Sequence, residues 1–313
     1  MHRVTYHSHG GPEVLVHESA PDPIPGPGEL LIRVEAIGVT LPSVRATRNP
    51  ATPLPGVLGG EVAGPVVAVG PGVDDFAPGD RVTSLTFSGS YTDLAVAPAM
   101  MASRIPPGAT AVQAVSLVRS GHVALAALHT AALRPDESVL ITGAASGVGH
   151  LLVQLARSRR VVAAVGSPEK AGFVRSLGAH EVVTYAELPE LAGKVDVVLD
   201  AVGGDLLPAF LGALVPGGRL VFFTSGGGTV PAYELLAGAK TITGMNMRHF
   251  SATHRARYEE HEATLWRLLE AGELRPVVHA EFPLAEAAAA HAVIEARANL
   301  GKVVLRPVAE MRT

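Results

Sequence analysis

Two rhythms of apolar and polar positions divide the chain. In the first third, short β-branched runs at residues 29–38 (ELLIRVEAIG), 61–70 (EVAGPVVAVG) and 80–86 (DRVTSLT) are separated by Pro and Gly clusters such as 21–28 (PDPIPGPG) and 77–80 (APGD). Short strands punctuated this way predict a small β-rich barrel or sandwich. From about Pro135 the rhythm becomes strand, glycine turn, amphipathic helix, strand. Residues 138–142 (SVLIT) read as a buried strand, and after the glycines Val148, Leu151, Leu152 and Leu155 fall on one helical face. A strand at 161–165 (VVAAV) follows, then a helix opened by Ser167 and Pro168 and stopped by Gly178. Strands at 181–184, 195–200 (VDVVLD) and 219–224 (RLVFFT), a helix near 206–214 and a short strand at 241–243 repeat the unit. This alternation predicts an α/β fold, a doubly wound parallel sheet with helices on both faces. After Asn246 the pattern is helical over 256–269 and 284–296 and ends in 301–305 (GKVVL). We read this tail as returning to the first domain, which sets the boundaries at 1–112, 113–247 and 248–313.

Composition narrows the role. A formal charge of -4 and a pI near 6.3, with no basic block, give no electrostatic case for nucleic acid. The absence of cysteine excludes disulfides, thiolate metal sites and a cysteine nucleophile. The opening MHRVTYHSHGGPEVLVHE lacks the apolar core of a signal peptide, and the apolar stretch 111–133 carries Arg119 and His122. A cytoplasmic protein with no membrane association is the expectation.

The glycine turn at 142–149 (TGAASGVG) sits between a strand and a helix N-terminus. Small residues let backbone N–H groups approach a pyrophosphate, and the helix dipole adds attraction, so Ala144, Ala145, Ser146, Gly147 and Val148 are candidate dinucleotide contacts. At the end of the second strand, where an NAD site usually places an acid, stand Val165, Gly166 and Ser167, and Lys170 follows in the next turn. A missing acid and a placed base favour NADPH, although Lys170 alone also fits a solvated surface lysine.

The string TGxxxGxG resembles the short-chain dehydrogenase/reductase signature, but that family needs a Tyr-x-x-x-Lys pair. The fourth residues after Tyr6, Tyr91, Tyr185, Tyr233 and Tyr258 are Gly10, Ala95, Pro189, Ala237 and Glu262. A wider resemblance is to the medium-chain dehydrogenase/reductase superfamily, in its zinc-free, zeta-crystallin-like quinone oxidoreductase branch. GGPEVL (10–15), PGPGELLIRVEAIGV (25–39), LGGEVAGPVVAVGPGV (58–73), PGDRV (78–82), LITGAASGVGHLLVQLAR (140–157), LGAHEVVTY (177–185), PGGRLV (216–221) and GKVVL carry it over nearly the whole chain.

The resemblance implies a GroES-like β-rich catalytic domain formed by both chain ends, around a Rossmann domain, and a homodimer. It implies that Lys170 and Tyr185 hold the 2'-phosphate of NADPH, and that Val202, Phe223, Thr224, Asn246 and Met247 lie beside the ribose or nicotinamide. Each of these five alone reads equally as a sheet-edge or core residue. The zinc positions of the alcohol dehydrogenase branch correspond to Thr40, Gly60 and Glu61, two of which offer no ligand side chain. His261-Glu262 is followed by Leu265 where HExxH needs His. No metal is expected.

Without a Lewis acid the implied chemistry is hydride transfer from NADPH to a quinone or an α,β-unsaturated carbonyl. The pocket departs from its relatives: Thr40 stands where Asn is common, and the AGLTA-like segment reads Arg119-Ser120-Gly121-His122-Val123-Ala124. His122, Tyr91 and Thr40 are the candidate catalytic residues, with packing roles as the alternative for His122 and Tyr91. A trans-acting enoyl reductase is a close variant, and an NADPH-binding protein without redox turnover is the rival.

Overall fold

Turn-punctuated strands build the first unit of the computed structural model, which describes residues 1–223 and 226–307. This unit holds Met1–Arg119 and the chain from Pro276 on, and Ser120–Arg275 form the second unit. In the first, His2–Tyr6 pairs with Leu15–Ser19 and Gly56–Val57. A larger sheet runs through Val278–Pro283, Lys302–Arg306, Ala36–Val39, Gly60–Val69, Glu29–Arg33 and Leu94–Pro98 in that spatial order. Its core includes Tyr6, Leu30, Ile32, Ile37, Val62, Val82, Val303 and Leu305.

The strand expected over 29–38 is broken into Glu29–Arg33 and Ala36–Val39. Between them the Val34 N–H donates to the Asp93 carbonyl and the Glu35 N–H to the Ala63 carbonyl, so the chain changes partners at a corner. Gly64 on the facing strand permits this approach, because a Cβ there would lie 1.9 Å from the Arg33 carbonyl oxygen.

The second unit carries the six-stranded parallel sheet in the order Glu181–Thr184, Val161–Val165, Val139–Ile141, Val195–Asp200, Leu214–Phe222, Thr241–Gly244. The chain starts in the middle, winds outward one way, then crosses back to wind the other. The switch point therefore lies at the carboxyl ends of Val139–Ile141 and Val195–Asp200, where doubly wound sheets bind ligands.

The units divide at 119/120 and 275/276, whereas the sequence rhythm set the Rossmann segment at 113–247. Helices Met247–Thr253 and Arg255–Glu270 stay with the second unit because Phe250, Tyr258 and His261 pack rings against His122 and His129 of helix Ala111–Ala131. By length and composition Ala111–Ala131 is long and apolar enough to cross a membrane, contrary to the expectation for 111–133. Much of it is buried within the protein, with Ala114, Val115, Leu117, Ala124, Ala126 and Ala127 fully so, as in a core helix.

Candidate active site

The glycine turn stands at the switch point, and its geometry explains its residues. Gly143 takes φ +57°, and a Cβ on Gly149 would lie 2.2 Å from the Gly143 carbonyl oxygen, so the helix start folds tightly over the turn. Within the turn, the Ala144 N–H donates to the Ala164 carbonyl, the Ser146 N–H to the Gly143 carbonyl, and the Gly149 N–H to Ser146 Oγ. Among the described residues, the N–H groups of Ala145, Gly147 and Val148 donate to no protein acceptor. Of the five expected backbone contacts, these three are open to an anion at the helix N-terminus.

Two residues that sequence reasoning missed hold the switch point together. Asp200, fully buried, accepts the Thr142 hydroxyl at 2.8 Å and the Val202 and Gly203 N–H groups on one oxygen, while Thr142 Oγ1 accepts the Ala201 N–H. Burial raises the Asp200 pKa, opposed by these donors. The stitch sets Val202 beside Gly143, 3.4 Å from its Cβ position. An acid ending a strand at the switch point was the available signal.

Tyr185 begins the turn after strand Glu181–Thr184. Its hydroxyl accepts the Gly143 N–H at 3.1 Å and its ring lies 3.8 Å from the Cβ position of Gly166. Tyr185 therefore joins the glycine turn to the end of the second strand. Ser167 opens the short 3-10 turn Pro168–Lys170, and its hydroxyl binds the Glu169 carboxylate, whose pKa falls. The Glu169 carboxylate therefore lies against Ser167, where the sequence pattern predicts no acid. Asn246 caps helix Met247–Thr253, its side-chain oxygen accepting the His249 N–H. Phe223, half-buried, donates its N–H to the Asp200 carbonyl, and Met247 is half-buried. Thr224 lies outside the described residues.

His122 is 2% exposed, stacked on Tyr258 with ring centroids 3.9 Å apart, and neither ring nitrogen has a protein partner among the described residues. Burial, with His261 adding to it, pushes its pKa down to about 3. A buried ring that is neutral at pH 7 is not placed as a general acid.

In the first unit a hydroxyl cluster forms around Thr40 and Tyr91. Thr40, the partly exposed N-cap of helix Leu41–Ala46, contacts Ser43 Oγ at 2.9 Å. Ser43 donates to the Gly59 carbonyl at 2.7 Å. Buried Tyr91 contacts His291 Nε2 at 2.9 Å. Burial, then nearby Glu61, raises the Tyr91 pKa, and burial lowers that of His291 to about 4 against the pull of Glu295. His291, a lone His in an alanine-rich helix, carried no signal in the sequence.

Residues 26–107 match the alcohol dehydrogenase GroES-like domain and residues 177–305 match the zinc-binding dehydrogenase family. The chain is 34% identical to the 2-haloacrylate reductase of Burkholderia sp, over 97% of this chain and 98% of that protein. It is 34% identical to a quinone oxidoreductase of Pseudomonas aeruginosa, over 97% of this chain and 99% of that one. It belongs to the zinc-free quinone oxidoreductase family of the medium-chain dehydrogenase/reductases. The Escherichia coli quinone oxidoreductase complexed with NADPH superposes with a TM-score of 0.92 at 31% identity, covering 98% of this chain and 100% of that one.

The name of the matched dehydrogenase family raises zinc, and the donor set of this quinone oxidoreductase family member does not fit it. Thr40 caps a helix, Gly60 has no side chain, and both Glu61 carboxylate oxygens lie 3.0 Å from the Lys302 ammonium. Among the described residues no group of three His, Cys, Asp or Glu could hold a metal. A dinucleotide fits better: a tight glycine turn, three open N–H groups at a helix start, and Tyr185 bridging the turn to the second strand.

Proposed function

We propose that this protein is an NADPH-dependent, zinc-free reductase that transfers hydride to a quinone or to the β-carbon of an α,β-unsaturated carbonyl. The observation that carries the reading is the glycine turn at the switch point, with open N–H groups at Ala145, Gly147 and Val148 and the Tyr185 hydroxyl beside it. NADPH, when bound, supplies the hydride. Ala145, Gly147 and Val148 hold its diphosphate, and Lys170, Tyr185 and Ser167 its 2'-phosphate. Val202, Phe223, Thr224, Asn246 and Met247 border its ribose and nicotinamide. Thr40 meets the acceptor, with Tyr91 behind it, and water protonates the product because His122 stays neutral and enclosed. The relative named for reducing a haloacrylate favours carbon–carbon double bonds, which keeps an enoyl reductase within the reading.

NADPH absorbance followed with a panel of quinones and enones tests this. Acceptor-dependent oxidation is expected, and tight NADPH binding with no acceptor consumed would instead leave a dinucleotide-binding protein without turnover. We also read the protein as a cytoplasmic homodimer. Edge strand Thr241–Gly244 and exposed Tyr233 and Leu236 on the preceding helix support an interface between copies, and sedimentation of the purified protein decides it.

A further inference from the structure

The turn after strand Val161–Val165 presents two kinds of polar group side by side. The strand ends at exposed Gly166, whose Cβ position lies 3.8 Å from the Tyr185 ring, and Ser167 opens the turn Pro168–Lys170. Ser167 is extended, at φ -153° and ψ 151°, and its side chain caps no N–H of the turn. Its hydroxyl instead donates to the Glu169 carboxylate, which can only accept. That bond, together with the N–H of Glu169 itself, holds the carboxyl below its ordinary pKa, so Glu169 is an anion at neutral pH. Among the described residues no cation pairs with it, although Lys170 is the next residue along the chain.

A ribose hydroxyl can give its proton to a carboxylate, whereas an ionised phosphate only accepts. Ser167 and Glu169 therefore form an acceptor face suited to a 2'-hydroxyl, beside a Lys170 ammonium suited to a 2'-phosphate. The strand end carries both the acid of an NAD site, set four residues beyond Val165, and the base of an NADP site. Any group on the 2'-carbon that touches the Ser167 hydroxyl lies one hydrogen bond from the carboxylate. A 2'-phosphate there must draw the Ser167 proton away from Glu169 and sit near a like charge, and both costs fall on NADPH alone. We propose that Glu169 is a specificity-determining residue of the dinucleotide site: it accepts the adenosine 2'-hydroxyl of NADH, admits NADH as a second hydride donor, and holds down the preference for NADPH. This rests on the cofactor reading above, which places Ser167 at the 2'-position.

Dissociation constants for NADPH, NADH and 2'-deoxy-NADH, which lacks the adenosine 2'-hydroxyl, are read from nucleotide fluorescence with the purified protein, so no acceptor is needed. The wild type is expected to bind NADH about five- to tenfold more tightly than the 2'-deoxy compound. Glu169→Ala removes that difference and tightens NADPH about threefold, a gain that shrinks as salt is raised. An acid in a first helical turn also meets favourable N–H groups, but losing that support weakens all three nucleotides alike and leaves their ratios unchanged. Glu169→Gln, which keeps the shape and loses the charge, restores part of the 2'-hydroxyl preference through its amide oxygen. A wild type that does not bind NADH, or binds it no better than 2'-deoxy-NADH, overturns the role of Glu169 while NADPH binding stands. Ratios that Glu169→Ala does not move overturn it equally. If NADPH itself does not bind, the cofactor reading fails and the role of Glu169 with it.

Discussion

Acid should destabilise the second unit through its buried histidines well before its carboxylates titrate. The folded-state pKa of His122 is about 3 and that of His261 about 4, the first lowered by burial then His261, the second by burial then His129 and Arg257. Both side chains are largely enclosed. With an unfolded value of ~6.5, a depressed folded pKa gives stability that is complete above pH ~6.5 and is lost as pH falls towards the folded value. At pH 5 the unfolded rings are nearly all charged and the folded ones nearly all neutral, so unfolding takes up about 1.8 protons. The slope is then about 2.5 kcal/mol per pH unit, and the loss between pH 7 and pH 5 about 3.7 kcal/mol. Glu137, held down to about 2 mainly by its hydrogen bonds to Arg219, steepens the loss only below this window, as pH falls through the ordinary carboxylate range. Trp266, the single tryptophan, lies in this unit, so urea titrations followed by its fluorescence at pH 7, 6 and 5 read the effect. His122→Leu should remove about 1.3 kcal/mol per pH unit from the slope at pH 5. A loss under about 1 kcal/mol from pH 7 to 5, or a slope untouched by His122→Leu, would refute the reasoning.

Removing one partner of the enclosed Glu61–Lys302 pair leaves a bare buried charge, so Lys302→Met should cost about 3–5 kcal/mol by urea unfolding, and Glu61→Gln in the Lys302→Met background should recover part of it. In the proposed reading Lys170 carries the cofactor preference: Lys170→Ala should weaken NADPH about tenfold by fluorescence titration and leave NADH nearly unchanged, a loss of about 1.4 kcal/mol. Gly149→Ala drives a Cβ to 2.2 Å from the Gly143 carbonyl, so it should lower both melting temperature and NADPH affinity. An unchanged affinity would show that the turn can open without loss.

Most of the second unit is legible in the sequence because its central strands are short, continuous apolar runs buried on both faces, its helices bury apolar residues at a period of 3.6, and its turn needs glycine where backbone atoms meet. Strand Val161–Val165, the turn at 142–149 and strand Thr241–Gly244 stand where the pattern puts them. What the pattern does not carry are polar contacts between residues far apart in the chain. Asp200 reaches Thr142, Tyr91 reaches His291, and the corner at Val34 exists because Asp93 and Ala63 offer carbonyls there. The end of the second unit was hidden for a similar reason. Its closing helices are held by histidine and aromatic rings, which hydropathy periods do not mark.

Gly38 shows how such long-range polar pairing shapes the sequence. A Cβ at Gly38 would lie 2.4 Å from Glu61 Oε2 and 2.8 Å from Lys302 Cε, so the ion pair occupies the space above this strand position. Glu61 is buried, and a buried carboxylate needs a cation or a set of donors. No zinc ligand set accompanies it, since Thr40 and Gly60 stand at the corresponding positions. The cation comes from strand Lys302–Arg306, whose antiparallel pairing with Ala36–Val39 brings the ammonium across Gly38. The returning end of the chain therefore does more than widen the sheet. It neutralises the buried Glu61 charge, and the glycine of EAIGV leaves room for it.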